Sequence, residues 1–190
     1  MAKQAPTLNA DQQRRVLAYV AKGSYPQRNR IMLLLSWLAG MRVGEIAALN
    51  IGDVIGKDGD VRSVIQLRKE QTKGKKARSV HLNTQLRTEL SGYVSTIPNR
   101  AASNTPLILS KTGKRFSANG LCQRFLKLYD AAGIDAATSH SGRRTFITTL
   151  ANKGVNVRVL AELAGHSNIS TTQRYIEIND GVLGEAVELI

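Results

Sequence analysis

Apolar positions along the first fifty residues recur with a helical period. Val16, Leu17 and Val20 form one stripe behind Asn9-Ala10-Asp11-Gln12, which has the form of an N-cap with Gln at N3, and the stripe stops at Gly23. Pro26 suits a first helical position, and Ile31, Leu34, Leu35 and Leu38 predict a strongly apolar helix ending at Gly40. A short helix over about 43–49 follows. The period then changes to two. Val54-Ile55, a Lys57-Asp58-Gly59-Asp60 turn, a run from Val61 to Leu67, a Lys73-Gly74 turn and a run from Ala77 to Leu82 predict a three-stranded antiparallel meander.

Helical spacing returns with Leu86, Leu90 and Val94, predicting a helix over 83–97. Residues 98–106 read as a loop, Leu107-Ile108-Leu109 as a short extended piece, and 111–114 as a turn. Ser117 caps a helix bearing Leu121, Phe125 and Leu128. Beyond Gly133 the pattern predicts helices over 141–153, 156–164 and 170–178, the last opened by a Ser170-Thr171-Thr172-Gln173 capping box, and a final short helix over 181–189. No internal repeat or low-complexity linker interrupts the pattern. The fold class expected is α+β, mainly helical, one domain over 1–180 with a small three-stranded antiparallel sheet and a tail over 181–190.

Composition narrows the chemistry. The chain has 190 residues, 42% of them hydrophobic and 22% charged, which suits a folded domain with its own core. One cysteine, Cys122, excludes an internal disulfide and every Cys-rich zinc motif. The longest apolar run, 31–41, is broken by Ser36 and Gly40 and is too short for a bilayer, which needs about 20 residues. No signal-peptide apolar region opens the chain, and a cytoplasmic location without membrane association is expected.

Lys and Arg number 27 against 14 Asp and Glu, a formal net charge of +13 that points to a polyanion, most simply nucleic acid. Arg62, Arg68, Lys69, Lys73, Lys75, Lys76 and Arg78 crowd residues 62–78 against Glu70 alone, whereas residues 176–190 hold four acids and no base. A basic run is ordinarily a solvated face; seven bases on a hairpin favour a phosphate-facing surface.

Four places carry candidate chemistry, and each has an ordinary structural role as well. Arg42 joins two helices in Gly-Met-Arg-Val-Gly-Glu at 40–45, where Arg42 and Glu45 also suit a surface i,i+3 pair. Lys73 sits at a hairpin tip. His140 and Arg143 share a helix face in His-Ser-Gly-Arg-Arg-Thr-Phe at 140–146. His166 ends one helix and Tyr175 lies in the next, within Ala-Gly-His-Ser-Asn-Ile-Ser-Thr-Thr-Gln-Arg-Tyr at 164–175. Taken singly, a hairpin turn, a C-capping His and a half-buried core Tyr are the commoner roles.

In this order, Arg42, Lys73, His140, Arg143, His166 and Tyr175, with the motifs around them, resemble the catalytic set of the tyrosine recombinase (phage integrase) family over nearly the whole chain. The resemblance implies a site-specific recombinase of phage or mobile-element type, acting in a bacterial or phage setting at the nucleoid. It would break and rejoin double-stranded DNA through a 3′-phosphotyrosine on Tyr175, without cofactor or metal, and assemble as a tetramer on paired sites. Arg42 and Arg143 would bind the nonbridging oxygens, His140 and His166 would assist, and the hairpin lysine would protonate the 5′-oxygen. Lys73 matches that lysine best, with Lys75 and Lys76 as rivals. Glu45 matches the acidic partner of the first arginine, and Arg68, Lys69, Lys75, Lys76, Arg78 and Arg144 are expected on DNA. Two positions depart from the family pattern: Gly142, where Leu is common, implying altered packing, and Arg144, where His is common, implying an extra phosphate contact. The helical domain that precedes the catalytic domain in most members is expected to be absent, because the first helix begins at Asn9.

The residue types suit such chemistry on their own terms. A tyrosine hydroxyl can store a phosphodiester as an enzyme ester. With an ordinary pKa near 10, it needs help with its proton and with the charge building on phosphorus. Guanidinium forks supply the latter. Three rivals stand beside this reading. A type IB topoisomerase would use the same chemistry, a non-catalytic DNA-binding protein of this family would need only the basic surface, and a metal nuclease would need a carboxylate cluster that the motifs lack.

Overall fold

In the computed structural model, which describes residues 5–72, 74–98, 102–175 and 187–188, the apolar run at 31–41 lies at the centre of the molecule. It forms α2 (Pro26–Leu38), in which Ile31, Met32, Leu33, Leu34, Leu35 and Trp37 are all buried. A helix apolar on every side must be surrounded. Four elements pack on it: α1 (Ala10–Lys22), α3 (Val43–Ala48), α5 (Thr84–Val94) and α7 (Ser141–Ala151). α1 has the expected capping box between Asn9 and Gln12 and buries Val16 and Val20 against α2. α6 (Ala118–Ala131) is capped by the Ser117 hydroxyl and packs Leu121, Phe125 and Leu128 into the same core.

The sheet is smaller than the alternating pattern suggests. Among the described residues it has two antiparallel strands, β1 (Val64–Leu67) and β2 (Arg78–His81), with Ile65 opposite Val80. The expected first strand does not form. Val54 closes a one-turn helix, α4 (Ile51–Val54), and Ile55 makes only an isolated bridge to Val61. The cause is Asp53, whose nearly buried carboxylate accepts from the Asn50 amide (2.9 Å), Arg68 Nη1 (2.7 Å) and Gln71 Nε2 (2.7 Å). These bonds favour a helical turn over an extended run of two residues. Between the strands lies a 3₁₀ turn, Lys69–Gln71, that the sequence pattern did not suggest.

α7, α8 (Val157–Ala164) and α9 (Ile169–Gln173) complete the described fold, with α8 packed on α7, α9 and β2. α9 begins one residue earlier than its motif implied, because the Asn168 side chain, not Ser170, accepts the first free amide. Tyr175 lies in the turn after it, its amide donating to Thr172 O at 2.9 Å. The tail helix expected over 181–189 lies outside the described residues except at 187 and 188. Among the described residues no helix is long and apolar enough to cross a membrane.

Gly142 shows how the packing differs where a larger residue is common. A Cβ there would overlap Trp37 Cδ1 and Ser36 Oγ on α2. Trp37 occupies that space, 4% exposed, and donates from Nε1 to the Tyr129 hydroxyl at 3.1 Å. The glycine is therefore the complement of the tryptophan and lets α7 approach α2 closely.

Candidate active site

The end of α8 is the floor of the site. Gly165 leaves the helix in the left-handed conformation (φ 61°), and the His166 amide closes the cap by donating to Ala161 O at 2.9 Å. This turn aims the carbonyls of Leu163, Ala164 and Gly165 into a cleft, and three arginines from distant parts of the chain meet them. Arg42 Nη2 donates to Gly165 O at 3.3 Å, Arg78 Nη1 to Leu163 O at 3.0 Å, and Arg143 Nη2 to Ala164 O. Arg143 also donates through Nη1 to Gly40 O at 2.7 Å and is only 5% exposed.

Three cations so close require a counter-charge. Glu45 supplies it from α3, with its side chain 1% exposed. Its carboxylate accepts from the Arg42 amide (2.9 Å) and Nη1 (3.0 Å), and from Arg78 Nε (3.1 Å) and Nη2 (2.7 Å). Burial alone would raise the Glu45 pKa, but the Arg78 bonds, with Arg42, outweigh it and hold the group below the ordinary carboxylate range. Burial, followed by Arg42 and Arg78, lowers the Arg143 pKa; Glu45 acts against that shift, and an arginine starts high enough to stay charged.

His166 is half-buried beside this cluster. Burial, then Arg143, Arg42 and Arg78, pull its pKa down to about 4, so the imidazole is neutral near pH 7. Its Nδ1 lies 2.8 Å from Thr172 Oγ1. When the Thr172 hydroxyl donates this bond, the ring proton sits on Nε2. The His166 and Tyr175 rings lie near parallel, 18° apart, with centroids 6.2 Å apart. His140, exposed at the start of α7, lines with Arg143, Arg144 and Tyr175 a recess of about 400 Å³ next to the arginine cleft.

The fold thus brings together Arg42, Glu45, Arg143, His166 and Tyr175, with His140 at the rim. Lys73 lies outside the described residues. Its neighbours Thr72, Gly74 and Lys76 line the arginine cleft with Arg42 and His166. Lys69, Lys75 and Lys76 are exposed, as a phosphate-facing surface needs.

Three of the basic residues expected on DNA have partners within the protein. Arg68 is exposed and paired with Asp53 at 2.7 Å. Arg144 donates from Nη1 to Ala5 O at 2.8 Å. Arg78, its side chain 8% exposed, has all three guanidinium nitrogens on Glu45 and Leu163 O, so it braces the site from within. The signal for Arg78 was in the strand: it lies two residues before Val80, which faces the core, and alternation puts both on one face. Thr172 also escaped notice, with no signal beyond its place between His166 and Tyr175. Among the described residues no three His, Cys, Asp or Glu side chains come together as metal ligands.

The chain as a whole matches a known family. The model of the phage integrase family covers residues 6–181. The chain belongs to the phage integrase family. It is 31% identical over 157 residues to the tyrosine recombinase XerC of Roseiflexus castenholzii, covering 80% of this chain and 48% of that protein. It is 30% identical over 164 residues to the tyrosine recombinase XerA of Pyrococcus furiosus, covering 85% and 54%. The chain therefore spans about half the length of these relatives. A crystal structure of XerA recombinase superposes with a TM-score of 0.77 at 27% identity, covering 100% of this chain and 65% of that one. The fold is also shared with a lambda integrase dimer bound to a core site, TM-score 0.70 at 19% identity, over 93% of this chain and 49% of that one.

Proposed function

We propose that this chain carries the catalytic centre of a site-specific recombinase, with Tyr175 as the nucleophile. The observation that carries the reading is the convergence of Arg42, Arg143, His166 and Tyr175 on one turn at the end of α8. Plain phosphate binding needs the arginines but not a tyrosine beside them.

In this reading the Tyr175 Oη attacks the scissile phosphorus. A 3′-phosphotyrosyl ester forms, the bond from phosphorus to the 5′-oxygen breaks, and the 5′-oxygen takes a proton. Arg42 and Arg143 bind the two nonbridging oxygens. Each guanidinium has five donors, of which bonds to described residues engage two, so both retain donors for an oxyanion. Neutral His166, with its proton on Nε2, donates a further hydrogen bond. His140 at the rim takes up the proton from Tyr175. Lys73, whose neighbours Thr72 and Gly74 line the cleft with Arg42, gives its proton to the leaving 5′-oxygen. Attack on the ester by a 5′-hydroxyl from a second duplex reverses the steps and joins new partners.

Two duplexes present four strands, and each Tyr175 can hold only one, so complete exchange calls for a tetramer on paired sites. The exposed Lys69, Lys75 and Lys76 supply phosphate contacts beside the cleft. The test is covalent capture on a pool of nicked duplexes of randomised sequence, followed by mapping of the attached residue. An ester on Tyr175 supports the reading, and DNA binding without any ester leaves only a DNA-binding protein.

A further inference from the structure

Arg144 follows Arg143 directly, so the two side chains leave α7 about 100° apart. Arg143 points into the buried floor. Arg144 points to the flank, where Ala5 and Tyr175 both lie beside it in the same recess. Its Nη1 donates to Ala5 O at 2.8 Å, its Cζ lies 5.6 Å from the centre of the Tyr175 ring, and its Nε is buried without a partner among the described residues. The chain entering α1 is itself tied to α7. The Leu8 amide donates to Thr145 Oγ1 at 2.8 Å, and the Leu8 side chain is buried in the core. Tyr175, by contrast, sits in a turn after a five-residue helix, and among the described residues its amide bonds to Thr172 O. Its ring depends on side-chain contacts for its direction, and the Arg144 guanidinium is one of them.

We propose that Arg144 is a positioning residue for Tyr175, through which the segment leading into α1 governs how the nucleophile is presented. This rests on the reading of Tyr175 as the nucleophile. It gives the departure at residue 144 a role other than an extra phosphate contact: a guanidinium can hold the Ala5 carbonyl with one arm and face the tyrosine with its plane. An imidazole is too short to do both.

The test uses the full chain with Arg144→Ala, Arg144→Lys and Thr145→Val. The last variant keeps its shape but removes the acceptor for the Leu8 amide. Three quantities are read: adduct formation at saturating nicked DNA, the Kd for DNA, and the Tyr175 ring resonances of the free protein, assigned with Tyr175→Phe. Arg144→Ala should slow adduct formation by about tenfold, in keeping with the cost of a misplaced nucleophile, and move the Tyr175 resonances while Kd stays within about twofold. Arg144→Lys should recover only part of the rate, since a point charge lacks the planar fork. Thr145→Val should move the same resonances, and should cease to move them in the Arg144→Ala background. The proposal is overturned if Arg144→Ala leaves the Tyr175 resonances in place, if Thr145→Val acts equally without Arg144, or if the whole loss lies in Kd. Should the wild type form no adduct on any duplex, the recombinase reading has failed, and the ring resonances alone decide whether Arg144 holds Tyr175.

Discussion

Arg78 and Glu45 meet in a two-point bridge, Nε on one carboxylate oxygen at 3.1 Å and Nη2 on the other at 2.7 Å, while Arg42 takes the same carboxylate from the N-cap of α3. The bridge links β2 to α3 and lets Arg42 stand beside two further guanidiniums. Arg78→Ala would leave Glu45 buried with half its partners gone. Breaking a buried pair on one side costs about 3–5 kcal/mol, and urea unfolding should show a loss of that size. Replacing both ends, as in Glu45→Gln with Arg78→Met, should cost less than Arg78→Ala alone. A cost for the double variant equal to the sum of the costs of its two single variants would mean the pair has no coupling.

Gly142→Ala should destabilise the fold by about 1–3 kcal/mol, the usual cost of overpacking, because its methyl meets the Trp37 ring. A smaller residue at position 37, such as Leu, should reduce that penalty in the double variant. Thermal unfolding of the four chains in this cycle measures it, and additive effects would show that the two positions do not share space.

The arginines should behave as transition-state donors. Arg42→Ala and Arg143→Ala should each slow adduct formation by about a hundredfold or more, in the range for a lost oxyanion donor. Lysine should not restore either, since it lacks the bidentate fork. Full recovery with lysine at both positions, measured in single-turnover cleavage, would reduce their role to charge alone.

Acid should weaken the fold through His166. Its pKa falls from an ordinary 6.5 to about 4 in the folded protein, so between these values the unfolded chain binds the extra proton. Stability is full above about 6.5 and declines as pH falls toward 4. Glu45, also held below its ordinary value, adds a further loss at lower pH. His166→Gln should flatten the Tm curve between pH 6.5 and 4.5. A His166→Gln curve as steep as that of the wild type would place the transition on other groups.

The sequence made different parts of this molecule visible to different degrees. Helices with a clear stripe and a cap, such as that of Asn9, Val16 and Val20, could be read because local bonds and burial agree. The meander was over-read at Val54-Ile55, where Asp53 commits the backbone to a helical turn through partners at Arg68 and Gln71, 15 and 18 residues away. The candidate site was legible as an ordered set of motifs, but its wiring was not. That Arg42, Arg78 and Arg143 share the carbonyls of one helix end depends on contacts across as many as 123 residues of sequence. An arginine that turns its guanidinium inward looks like any other base in a basic run, which is why Arg78 reads as a surface cation in the sequence. The Arg144 contact with Ala5 spans 139 residues, beyond the reach of any local pattern.

The most direct test of Tyr175 as the nucleophile is covalent capture by the wild-type chain and by Tyr175→Phe on the same nicked duplexes, resolved on a denaturing gel with and without a chelator. The wild type should give a protein–DNA adduct that the chelator does not change, with the DNA esterified at Tyr175, and Tyr175→Phe should bind the same DNA and give none. An adduct formed by Tyr175→Phe, or one mapped to another residue, would contradict the account.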